Sequence, residues 1–247
     1  MKLKYSIFIL LFSLLFTACS EDSVFHYLNK SDEQVTSIDT LPIIHRLLVH
    51  DDLNVQLISD TIFSIQITAN KTLYEHINYE IINDSLILKN TNPYNWTSYN
   101  DSVYINFHVT QEFNRIETHG TGYVYCNDTV FFNKIVFYAF DGAGQFNILI
   151  NTNNLTLVSH SFTTTGFNIY GITNSLRTRT RGMGKINCIG LEGQTAKIFH
   201  EGTNDCIINI KNELDVKIWS VGDVYYKGNP VITNQELKHK GQLIHID

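Results

Sequence analysis

The sequence predicts an all-β protein: a right-handed, parallel β-helix or solenoid-like stack with coils of about 20 residues, preceded by an all-β N-terminal part. Three observations lead there. Past the first segment no stretch holds the i, i+3, i+4, i+7 apolar spacing of a helix, while alternation with period two keeps returning. Gly-bearing markers recur from residue 118 onward, the last residues of successive markers lying 22, 22, 18, 20 and 18 positions apart. Between markers, each unit holds two short alternating strands around a polar turn, which is what one coil of a solenoid requires. A two-sheet β-sandwich is the alternative, since it also uses short strands and Gly-rich turns.

The elements follow in chain order. Lys2 and Lys4 precede an apolar run from Ile7 to Phe16, and the small residues Thr17 and Ala18 lead to Cys19. A charged start, an apolar centre and a small-residue cleavage site are the parts of a secretory leader. The run is shorter than the roughly 20 residues that a membrane span needs. Phe16-Thr17-Ala18-Cys19 resembles a bacterial lipobox, which implies a leader over residues 1–18 and lipidation of Cys19. Acyl chains would then tie the protein to the membrane. Ser20, Glu21 and Asp22 resemble the surface-export signal of Bacteroidetes lipoproteins. The expected place is the outer membrane, facing the cell surface or, as the alternative, the periplasm. Residues 19–37 read as a polar tether.

Residues 38–115 form the N-terminal β part. Val55 to Ile58, Ile62 to Ile67, Ile81 to Leu88 and Val103 to Val109 alternate as strands, and Asn90 to Asp101 is the longest irregular connection. Residues 116–246 hold the repeats. Their markers are His119-Gly120-Thr121-Gly122, Asp141-Gly142-Ala143-Gly144, Thr163-Thr164-Thr165-Gly166, Arg181-Gly182-Met183-Gly184, Glu201-Gly202-Thr203-Asn204 and Ser220-Val221-Gly222. Stacked coils sit about 4.8 Å apart, so small residues recur wherever the coil turns sharply.

The last marker leads into the run Gly222-Asp223-Val224-Tyr225-Tyr226-Lys227-Gly228-Asn229-Pro230. With the Gly-x-Gly units, this run resembles the autotransporter-adhesin head family, or GIN domain, common in Bacteroidetes lipoproteins. The resemblance spans about residues 40–246. It implies a non-enzymatic, adhesin-like module on the cell envelope. The nearest approach to a literal Gly-Ile-Asn is Gly184-Lys185-Ile186-Asn187. Pro230 lacks an N–H donor and reads as the end of pairing, so the motif is expected to cap the last edge.

Composition excludes several functions. With 17% charged and 12% aromatic residues the chain is no disordered segment. A net charge of −6, nearer −8 once Lys2 and Lys4 leave with the leader, argues against nucleic acid as a partner. Metal spacings such as His-Glu-x-x-His are missing, as are a Gly-x-Ser-x-Gly elbow and a phosphate-cradling glycine loop, so no catalytic residue, metal or cofactor is expected. His108, His119, His160 and His200 fall in or beside strands and read as packed or solvent-edge histidines. A polysaccharide-active enzyme is the less favoured alternative, and Asp51, Asp52 and Asp141 are its candidate acids. Adjacent strand residues point to opposite faces, so Asp51 and Asp52 are not expected to share a site.

One binding candidate emerges. If Leu176 lies in the core, Thr178 and Thr180 point inward, and Arg177, Arg179 and Arg181 share the outer face. Lys197 and Lys217 occupy related places in later coils, so a short basic stripe crosses the sheet. It would meet an anionic glycan, or an acidic envelope or host protein. A plain solvated strand face is the other reading of these residues, and a structural or regulatory periplasmic protein-binding role is the alternative for the chain. Outside the lipobox, Cys126, Cys188 and Cys206 read as buried thiols, with a Cys188–Cys206 bridge as the alternative.

Overall fold

Residues 33–92 and 103–247 are described in the computed structural model. Cys19, the leader, and most of both the expected tether and the Asn90–Asp101 connection lie outside them. In chain order come β1 (Gln34–Thr40), β2 (Arg46–Asp51), β3 (Val55–Ser59), β4 (Ser64–Asn70), the short helix α1 (Lys71–Tyr74), β5 (Ile77–Ile82), β6 (Ser85–Asn90) and β7 (Tyr104–Val109). They are followed by β8 (Arg115–Gly120), β9 (Tyr123–Tyr125), β10 (Val130–Gly142), β11 (Gln145–Ser159), β12 (Gly166–Thr180) and β13 (Ile186–His200). The last four are β14 (Cys206–Ile218), β15 (Val224–Lys227), β16 (Val231–Leu237) and β17 (Leu243–His245). Together they make a β-solenoid of about 7 turns with coils of about 20 residues.

Parallel pairing stacks outward residues on outward ones and inward on inward, with register shifts confined to a few positions. Val136, Thr156, Arg177, Lys197 and Asp215 form one outward column through β10 to β14, and Phe137, Leu157, Thr178, Ile198 and Val216 form the inward column beside it. Within the core Phe137, Phe146 and Phe167 stack with centroids 5.2 and 5.0 Å apart. Burying each ring contributes on the order of 2–3 kcal/mol. The Gly markers are explained at the corner. Gly142 has φ +80°, and a Cβ there would overlap the Gly120 carbonyl on the coil before.

The all-β N-terminal part belongs to the same stack, with β2–β3 and β6–β7 as two of its coils. Their order is inverted: β2 pairs with β6 on one side and β8 on the other, and β3 likewise with β7 and β9. The coil made first in the chain thus lies between the second and the third. β1 begins at Gln34, inside the expected tether, and pairs antiparallel with β4. The Ile81 to Leu88 stretch is divided at its turn-prone residues into a hairpin, β5–β6, turning at Asn83 and Asp84, whose positive φ of 47° and 61° suits these residues. The antiparallel pairs and α1, whose Leu73 N–H donates to the capping Asn70 side chain, close this end.

The closing motif is also corrected. Pro230 does not end pairing; it sits in the turn after Gly228 (φ +93°), and β16 resumes parallel pairing with β14 at Val231↔Glu213. The missing N–H falls in a connection, where it interrupts no ladder.

Candidate functional site

The outward face made by β2, β8, and the second halves of β10 to β14 carries the candidate site. Leu176 is buried, Thr178 and Thr180 point inward, and Arg177, Arg179 and Arg181 are exposed on the outer side. The alternation read from the sequence therefore holds at these residues. The stripe is shorter than expected. Lys197 follows Arg177 on the next coil, but Asp215 comes next in that column and binds Lys197 at 3.2 Å. In the Arg179 column Phe199 separates Arg179 from Lys217, which pairs with Glu236 at 3.0 Å. Arg181 is held by Glu201 at 2.7 Å and is not a free cation.

Arg177 and Arg179 differ. Among the described residues no carboxylate lies within the 4.0 Å of an ion pair from either guanidinium. Their neighbours across the rungs are Thr156 and Lys197 for the first, Val158 and Phe199 for the second. Beyond Phe199 the Trp219 ring meets it edge-on at 4.9 Å.

A second group on this face was not found from the sequence. Glu117, largely buried, accepts hydrogen bonds from Arg115 at 2.8 and 3.2 Å, from Arg46 at 3.4 Å, and pairs with His119 at 3.0 Å. Burial pushes its carboxyl up, but the bonds from Arg115 and His119 outweigh that and hold it below the usual range. His119 continues into a column of rings running along the stack: His50, His119, Phe140 and His160, with neighbouring centroids 4.7–5.0 Å apart. The column ends on Phe162, which is 80% exposed. The alternation at Glu117 and His119 was visible, but their partners Arg46 and His50 come from the displaced coil.

The corner between the two strand segments holds a shallow groove of about 130 Å³ lined by Asn153, Ile172, Asn174, Glu192 and Gln194 among others. Asn174 donates to Asn153 at 2.9 Å, so its amides bond along the stack.

The remaining candidates have structural partners. Asp51 ends β2 with φ +64°, and this turn lets both acids meet one residue: Asp51 accepts the Asn90 N–H at 3.0 Å and Asp52 the Asn90 side-chain amide at 3.0 Å. The opposite-face argument fails there because the strand has already ended. Asp141 approaches His119 at 3.8 Å. His200 is buried and bonded to Thr180 at 2.9 Å. No group of three or more His, Cys, Asp or Glu among the described residues is placed to hold a metal ion. Cys126, Cys188 and Cys206 are unbridged; the last two are fully buried, and burial pushes the Cys206 thiol up to about 12. No helix among the described residues is long and apolar enough to cross a membrane.

The family model described as "Putative auto-transporter adhesin, head GIN domain" matches residues 45–230. No curated protein matches the chain. Among solved structures, a putative adhesin from Bacteroides fragilis NCTC 9343 is similar with a TM-score of 0.76 at 18% identity, over 88% of this chain and 99% of that one. A putative lipid binding protein from Parabacteroides distasonis ATCC 8503 has a TM-score of 0.64 at 15% identity, over 88% and 98%. A putative adhesin from Parabacteroides merdae ATCC 43184 has 0.57 at 13%, over 88% and 98%. At these identities the likeness is one of fold.

Proposed function

Because the chain belongs to the auto-transporter adhesin head family with the GIN domain, we propose that it is a non-enzymatic, adhesin-like binding module of the cell envelope. On this reading its flat outer face takes an anionic glycan at Arg177 and Arg179. The observation that carries it is the charge mismatch at those two residues. The face pairs Arg46, Arg115, Arg181, Lys197 and Lys217 with acids of its own, and the whole chain is acidic, yet Arg177 and Arg179 stay exposed without a carboxylate among the described residues. Phe199 beside Arg179 offers a ring on which a sugar stacks while its carboxylate or sulfate meets the guanidinium.

The test is an array of carboxylated, sulfated and neutral polysaccharides, read with the purified protein and with the Arg177→Glu/Arg179→Glu variant. Binding to acidic glycans that the variant loses, with its melting temperature unchanged, is the expected result. No binding to any acidic glycan, with capture of an envelope protein instead, would replace this reading with the periplasmic protein-binding one.

In the same reading the module is an outer-membrane lipoprotein held by acyl chains on Cys19. Radiolabelled palmitate incorporated by the native protein and not by Cys19→Ser checks the anchor. Protease treatment of intact cells tells the surface from the periplasm, and release of the domain is expected.

A further inference from the structure

The two ends of the solenoid are not alike. At the N-terminal end the antiparallel pairs and α1 cover the core, and Ile65, Ile67, Leu88 and Phe107 are no more than 2% exposed. At the other end the stack simply stops. β16 pairs with β14 and, among the described residues, with no other strand, so one whole edge of it is bare.

Register shows which side chains that leaves uncovered. Ile232, Gln235 and Leu237 stand beside Leu214, Val216 and Ile218, which are all fully buried, so the three point to the core side. With no coil beneath them, Ile232 is 39% and Leu237 43% exposed. Soluble proteins blunt such edges with charge, proline or a covering element, and solenoids close their ends with a cap. Among the described residues none of these devices is in place. Pro230 precedes the strand, and Glu236, the one ionised side chain within it, is neutralised by Lys217 and Lys238, each at 3.0 Å.

We propose that this edge is a self-association surface, where β16 pairs antiparallel with β16 of a second copy about a two-fold axis. The proposal is independent of the glycan reading. The backbone fixes how it pairs. The Lys238 N–H donates to the Ile218 carbonyl at 2.9 Å, so by alternation Glu236 also faces β14. Gln235 and Leu237 therefore turn their N–H and C=O groups to the open edge.

An axis through Glu236 makes the strand complementary to itself. Gln235 of one copy then exchanges both backbone bonds with Leu237 of the other, so core-side residues lie over core-side residues. Lys238 of each copy comes diagonal to the other's Glu236, within reach of a long side chain, and offsets the meeting of the two carboxylates. Such a contact is isologous and closes at two copies.

Sedimentation velocity over a concentration series tests it. The wild type is expected as a dimer, and Leu237→Lys, which charges the uncovered core side, as a monomer with half the mass. Gln235→Pro removes an edge-facing N–H and none of the bonds to β14, so it should also be monomeric, with circular dichroism unchanged. Glu236→Cys provides a fold-independent readout. Residues facing each other in a non-hydrogen-bonded antiparallel pair are close enough for a disulfide, so mild oxidation should cross-link this variant and leave the wild type uncrossed. A wild type that stays monomeric at every concentration, or a dimer that survives both edge variants, would overturn the proposal.

Discussion

His50 and His119 stack across neighbouring coils, with centroids 4.8 Å apart and planes 14° from parallel, although the end cap and a further coil lie between them in the chain. The contact exists because β2 was laid down first and then enclosed.

Burial lowers the His50 pKa and the adjacent His119 lowers it further; burial likewise lowers that of His200. Both imidazoles hold a proton less tightly folded than unfolded, where the value is 6.5. The stability they contribute is thus present above 6.5 and lost as the pH falls through the folded values. The melting temperature should drop between about pH 7.5 and about pH 5.5, and drop less in a His50→Gln/His200→Gln variant. An equal drop in both proteins would place the titration elsewhere.

Phe146 lies between Phe137 and Phe167, nearly parallel to the latter at 6°. Phe146→Ala should cost about 3–5 kcal/mol in urea unfolding. Phe162→Ala, at a ring 80% exposed, should change stability by less than about 0.5 kcal/mol.

Gly142 and Gly166 occupy comparable markers but not comparable space. Gly142→Ala meets both positive φ and the Gly120 carbonyl, while a Cβ on Gly166 finds its nearest atom at 3.5 Å. The first should lose on the order of 1–3 kcal/mol to backbone strain alone. The second should melt within a degree or two of the wild type.

Glu201→Gln would free Arg181 from its 2.7 Å partner and extend the unpaired cations to three in a row along one strand face. Binding to an acidic glycan should tighten, as measured by calorimetry, and weaken with added salt. The lost surface pair should cost no more than about 1 kcal/mol.

Thiol chemistry should be slow throughout. Burial raises the pKa of Cys126, Cys188 and Cys206, and the last two are fully enclosed. A colorimetric thiol reagent should titrate these three only after denaturant is added, with half-buried Cys126 the first to react.

How far the sequence could be read depended on whether a contact was local. Leu176 set the phase of β12, and everything about the Arg177, Arg179 and Arg181 face followed from period two. Asp215 and Glu201 were as visible as the cations they bind, but only the coil register shows that they face them. Asp51 and Asp52 misled because a strand rule was applied past the last strand residue. Pro230 misled because its missing donor matters only where a ladder runs. The Glu117 group was out of reach, since no local pattern announces that a coil will be inserted between two others.

That insertion also dictates an order of events. A chain that stacked its coils in sequence would grow from one end, each new coil resting on the last. Here β2–β3 must remain open on one side until β7 is complete and on the other until β9 arrives. The earliest coil in the chain is thus not enclosed on both sides until two later coils have been made. Closure of that long loop, and not the later repetitive stacking, should govern how fast the protein folds.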